Sequence, residues 1–151
     1  MTSSGMGRRY IEEARGRQEL VRLAKDRQLW ATVVREAQEC VELFLKGALR
    51  LVAVEPARTH DVAELLRREV GRFPAWFRSE VEHLASISTE MAGERGIAFY
   101  GDERQHLGPQ ELFDEGDAGR AFSSLEYVAG LAIRLLDVPS GGAPDSQPTS
   151  P

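Results

Sequence analysis

Only one of the 151 residues is a cysteine, Cys40, so no intramolecular disulfide can form. A reducing cytoplasm is the expected home of such a chain. No apolar run approaches the roughly 18 residues of a membrane span, which excludes an integral membrane helix. The start, Met1 to Arg9, lacks the apolar core of a signal peptide. Histidine is scarce: His60, His83 and His106 are far apart, and with one cysteine they give no metal-ligand spacing. HExxH, EF-hand, P-loop and GxSxG patterns are all missing. Gly5, Gly7 and Gly16 lie in polar sequence with no strand before them, so they make no dinucleotide fingerprint. The expectation is therefore no metal and no cofactor.

What remains suits one globular domain. Hydrophobic residues make up 42% of the chain and aromatics 7%. A chain of this length buries roughly 68–70% of its unfolded surface and needs no staple. Nineteen basic residues against 24 acidic ones leave a net charge of −5, which argues against indiscriminate binding to nucleic acid or membrane. The charge is uneven. Residues 1–30 hold seven Arg or Lys and four acids, whereas residues 91–120 hold three Arg and seven acids. Such opposite regions can complement each other or a partner, or simply be solvated faces. Residues 139–151 read PSGGAPDSQPTSP, which cannot bury enough surface to offset its ordering entropy. A disordered Pro/Gly/Ser tail is expected there, and a disordered start over residues 1–7. The folded part is then 8–138.

Apolar positions recur at helical spacing throughout. A first helix is expected from about Arg8 to Asp26. A second carries Trp30, Val33, Val34, Ala37, Cys40, Val41, Phe44, Leu45, Ala48, Leu49 and Val52 on one face, with Cys40 as a buried, inert thiol. Its outer face holds Glu42 and Lys46, an i,i+4 pair in the favourable order. A third helix has Thr59 as N-cap, Asp61 in its first turn and Gly71 at its end. A fourth starts near Pro74 and runs to Met91–Gly93, and a fifth starts near Asp117. The fold class is all-α, with five helices and a long loop over about 93–117 before the last. At roughly 24 residues, that loop is long against the 2–8 usual in helical bundles.

Long ordered loops are often functional, which directs attention to Arg95, Tyr100, Arg104 and His106. An imidazole that moves the 2′-hydroxyl proton, beside a guanidinium on the phosphate, can cleave RNA. Arg104 and His106 offer that pair, with His60 as another source of imidazole. Each also fits an ordinary surface or structural role. Tyr100, beside Phe99 and Gly101, can stack a base or anchor the loop to the core. His83 has no evident partner.

The stretch AQECVELFLKGALRLVAVEPARTHDVAELL resembles the HEPN family of small helical-bundle domains. Gln38, Glu42 and Lys46 match its glutamine, glutamate and lysine at four-residue steps. Thr59, His60 and Asp61 match its threonine-histidine-aspartate helix start, and Leu65-Leu66 follow. Arg95 and Phe99-Tyr100-Gly101-Asp102 resemble the arginine-tyrosine segment that many relatives carry after the fourth helix. The resemblance implies a five-helix up-and-down bundle, a homodimer, and a role linked to nucleotides or RNA. Many relatives are metal-independent ribonucleases, often toxins of toxin–antitoxin pairs. Others partner a minimal nucleotidyltransferase or only bind. The active ones carry an arginine and a histidine separated by four to six residues. From Arg95 those positions hold Tyr100, Gly101 and Asp102; from Arg104 they hold Pro109, Gln110 and Glu111. The expectation is a non-catalytic module that dimerises and binds a nucleotide-related ligand or a nucleotidyltransferase through Arg95, Tyr100, His60 and Lys46. The alternatives are an endoribonuclease using Arg104, His106 or His60, and a pure interaction scaffold.

Overall fold

The computed structural model describes residues 2–139; the expected tail over 139–151 lies almost wholly outside them. Among the described residues the chain is helical, with no strand. Four long helices carry the structure: α1 (Ser3–Asp26), α2 (Trp30–Leu51), α5 (Val81–Tyr100) and α7 (Glu115–Leu135). Three short ones join them: α3 (Ala63–Arg68), α4 (Ala75–Arg78) and α6 (Pro109–Leu112), with a 3₁₀ turn at Val70–Arg72. Among the described residues, seven α-helices replace the five expected.

Helix α2 is central because its apolar positions recur every three or four residues around a wide arc. Val33, Val34, Ala37, Cys40, Val41, Phe44, Leu45, Ala48 and Leu49 are all buried. Burial pushes the Cys40 thiol up to about 12, with the nearby Glu36 carboxylate adding to it, so the thiol stays protonated. Helix α1 runs antiparallel to α2: Gly7 packs on Gly47, and Arg17 meets Glu39 3.2 Å away. Helix α7 lies antiparallel to α1, with Arg8 donating to the Leu136 carbonyl at one end and the Lys25 ammonium 4.8 Å over the Phe122 ring at the other. Helix α5 covers a further side of α2, also antiparallel, with Arg95 reaching Gln38 and Phe99 lying beneath Arg35. The long helices thus alternate up and down.

Departures from the sequence expectation have local causes. Residues 3–7 are helix rather than disordered chain, because the Thr2 hydroxyl accepts from the Gly5 N–H and Gly7 is buried against α2. Thr59 is not the N-cap of α3. Val62 holds the N-cap position, and the Asp61 carboxylate just before it accepts from the Ala63 N–H at 2.9 Å, so the helix starts at Ala63. The fourth segment is two helices. After α4 the Glu80 N–H bonds to the Phe77 carbonyl, an i→i+3 turn that redirects the chain into α5. Phe73 and Phe77, stacked at 4.3 Å and fully buried, anchor that corner.

The long loop is also shorter than expected. Helix α5 continues through Gly93 and Gly96 because Arg95 and the buried Ala98 hold its last turns to α2. It stops at Gly101, whose φ is +74°; a Cβ there would fall 2.1 Å from the Leu107 carbonyl oxygen. Asp102 and Leu107 then exchange backbone hydrogen bonds of 2.9 and 3.0 Å, closing a tight turn before α6. Asp114 caps α7 by accepting from the Asp117 N–H.

The α1–α2 crossing is the tightest point in the core. A Cβ at Gly7 would lie 2.7 Å from the Gly47 carbonyl oxygen and 2.9 Å from the Leu51 nitrogen, both backbone atoms. Gly7→Ala is expected to cost about 1–3 kcal/mol, because two helices must separate. Gly130→Ala, in the interior of α7 with nothing within 4 Å, is expected to stabilise by about 1 kcal/mol. Urea midpoints of the two variants check the opposite signs.

Candidate functional site

One edge of α2 is polar, and it faces α5 and the segment that leads into α3. Gln38, Glu42 and Lys46 stand at four-residue steps, so their side chains follow one another along that edge. The Gln38 amide nitrogen donates to Glu42 Oε1 at 3.1 Å, and Lys46 Nζ donates to Glu42 Oε2 at 3.1 Å. His60 Nδ1 lies 2.8 Å from Glu42 Oε1. One carboxylate therefore gathers a carboxamide, an ammonium and an imidazole. Glu42 and Lys46 are largely buried, whereas the His60 side chain is 55% exposed.

From Gln38 the network turns toward α5 and α1. Arg95 donates to Gln38 Oε1 at 2.7 Å and stands 3.5 Å from Glu39. Arg17 joins Glu39 to Glu13, and its hydrogen bond to Glu13, outweighing partial burial, holds the guanidinium more firmly protonated. The Arg95 guanidinium also lies 4.9 Å over the Phe99 ring, and Arg35 lies at 4.9 Å over the same ring. Phe99 in turn lines a cavity of about 460 Å³ with Gln28, Trp30, Arg35, Pro109 and Gln110.

Three of the four binding residues expected from sequence therefore meet: Lys46, His60 and Arg95. Tyr100 does not; it is 74% exposed at the end of α5, its ring 5.9 Å from that of Phe99. Arg104 and His106 stand on the exposed turn between Asp102 and Leu107, where His106 adopts a φ of +56°, and neither joins the network. The site also contains residues that sequence reasoning did not single out for it. Gln38 and Glu42 were visible as polar residues at a four-residue step, but Glu42 and Lys46, expected on the outer face, are instead largely buried. Glu39 and Arg17 carried no such signal, because their pairing depends on how α1 lies on α2.

Asp61 holds the His60 segment in place. Its Oδ1 accepts from the Ser88 hydroxyl and the Ala63 N–H, each at 2.9 Å, and Oδ2 accepts from the Thr89 hydroxyl at 2.8 Å. The Ser88 oxygen also accepts from the Val62 N–H at 3.0 Å. The α2–α3 connection is thereby tied to α5, and His60 is carried to Glu42.

With this geometry in view, comparison with known families shows that the HEPN domain model matches residues 8–135. The chain belongs to the HEPN domain family. No curated protein and no solved structure matches it. The match takes in nearly all of the four long helices, so every residue of the polar network lies inside the HEPN domain.

Burial alone would raise the Asp61 carboxyl, but the Ala63 N–H, the Thr89 and Ser88 hydroxyls and the nearby Arg67 together hold it below the usual carboxylate range. A depressed folded value stabilises the domain above the unfolded value of about 3.9, and that stabilisation is lost as pH falls through the folded value. Asp61→Asn is therefore expected to lower stability at pH 7 and to flatten its loss below about pH 4. Urea unfolding of both proteins between neutral and acid pH checks this.

Proposed function

We propose that this HEPN domain is a non-catalytic module that dimerises and binds a nucleotide-related ligand or a nucleotidyltransferase partner. The observation that carries the reading is the position of Arg95. It is fixed by Gln38 and Glu39 on one side, and on the other it lies over Phe99, which lines the cavity beside Arg35. The Arg35 guanidinium and the Phe99 ring on the cavity wall, with Arg95 behind the same ring, suit a flat ring carrying phosphate. The cavity volume falls within the roughly 300–1,000 Å³ of small-molecule pockets. Lys46 and His60 extend the same polar edge, and Tyr100 stands beside it.

A second reading rests on the Glu42–His60 pair. With Nδ1–H donating to the carboxylate, Nε2 of a half-exposed imidazole is left with its lone pair outward. That is the arrangement of a general base, and Arg95, linked through Gln38, would stabilise phosphate charge. This would make the domain a metal-independent endoribonuclease.

Titration calorimetry with adenosine and guanosine nucleotides tests the first reading: binding is expected, with at least a tenfold loss in Arg95→Ala. RNA incubated with the protein in EDTA is expected to stay intact. Cleavage that disappears in His60→Ala but survives in His83→Ala, on the far part of α5, would replace the first reading with the second.

A further inference from the structure

The connection from α5 to α7 differs from the others in what holds it down. The α2–α3 connection buries Val54 and Val62 and is tied to α5 through Asp61, and the turn into α4 buries Phe73. From Gly101 to Asp117, by contrast, no residue is buried. Among the described residues, no side chain of 101–112 forms a hydrogen bond or ion pair outside that segment. At its start the Gly101 N–H donates to the Ile97 carbonyl, the last turn of α5. At its end Phe113 packs against the core just before the Asp114 cap of α7.

Inside, the segment is well bonded. Asp102 and Leu107 exchange their backbone bonds, and the Asp102 carboxylate accepts from the Arg104 and Gln105 N–H groups at 3.0 and 3.3 Å. The Glu111 carboxylate accepts from the Gly108 N–H at 3.2 Å, fixing the start of α6. A unit ordered by its own bonds and attached at two points moves as one piece. There is space on both of its sides. Pro109 and Gln110 line the 460 Å³ cavity that Phe99 and Arg35 also line. Asp102, Glu103, Arg104 and Leu112 line a second cavity of about 430 Å³, together with Ile97. The segment can therefore shift without displacing a core side chain.

We propose that residues 101–112 are a lid, hinged at Gly101 and Phe113, that opens and closes the cavity holding Phe99 and Arg35. What the lid admits rests on the nucleotide reading above; that it moves rests on how it is attached. A lid of this kind shields a bound ligand from water and sets the rate of its release.

Double electron–electron resonance on the full chain tests it, with nitroxides on Gln105→Cys in the lid and Glu12→Cys on α1. Both positions are exposed, and the fully buried Cys40 takes no label. Glu126→Cys on α7, paired with Glu12→Cys, gives the width expected of two fixed points. Without ligand, the lid pair is expected at two distances and the reference pair at one. ATP is expected to gather the lid pair into one of its two distances. Gly101→Ala, whose Cβ would meet the Leu107 carbonyl, is expected to favour the other distance, with the circular dichroism unchanged. It is also expected to weaken ATP binding about tenfold in calorimetry, as the closed state becomes rarer. A single distance as narrow as the reference, with and without ATP, would overturn the lid and leave the nucleotide reading to calorimetry. A broad continuum would mean a frayed loop and would overturn the lid as well. Two distances whose proportions ATP does not change, with no heat of binding, would keep the lid and overturn the nucleotide reading.

Discussion

Gln38 lies 3% exposed in the middle of α2, and a carboxamide so placed needs bonds to both its oxygen and its nitrogen. Its oxygen takes Arg95 from α5 and its nitrogen takes Glu42 one turn along. Leaving either end empty costs on the order of 1–3 kcal/mol, so the two bonds constrain what surrounds them. Arg95 must remain helical to reach back, which carries α5 past two glycines to Tyr100. Glu42, drawn into a largely buried position, needs compensating partners: Lys46 supplies opposite charge and His60 stands within hydrogen-bond distance.

The consequence is a network in which nearly every member is already bonded within the protein. Buried ion pairs of this type give conformational specificity more readily than net stability. Here they set the position of three elements that local forces leave open: the α2–α3 connection, the end of α5 and the polar flank of α1. The Asp61–Ser88–Thr89 cluster does the same for His60 from the other side, so the imidazole is located by two sets of bonds rather than by its own helix. A ligand arriving at Arg95 or His60 would compete with existing partners. Binding there would therefore couple to the packing of α5 on α2.

The Phe99 ring is where the network meets the end of the molecule. Two guanidinium groups share it, one from α2 and one from α5, and their mutual repulsion is eased by Glu36, Glu39 and Gln38. An anion at this point would relieve the same repulsion. The adjoining apolar side chains are exposed at that same end, which sets the charged site beside an uncovered hydrophobic one.

Much of this was legible in the residues. The helical class follows from the 3.6-residue recurrence of apolar positions, plainest from Val33 to Leu49, and the burial of Cys40 follows from its place on that face. The Glu42–Lys46 pair is a matter of spacing within one helix, and the HEPN resemblance rests on a motif that is local in the chain. Helix ends were less legible: Thr59 reads as the N-cap of the third helix, with Asp61 in its first turn, until Ser88 and Thr89 hold Asp61 outside a helix that starts at Ala63. Gly93 likewise reads as a stop until Arg95 finds Gln38. Contacts such as Arg95–Gln38, 57 residues apart, and Arg17–Glu39, 22 apart, depend on how whole helices cross. The sequence by itself determined which faces must be buried, since that is periodicity. Only the tertiary structure decided which polar groups meet, since a long side chain takes its partner from whatever the packing brings within 3 Å.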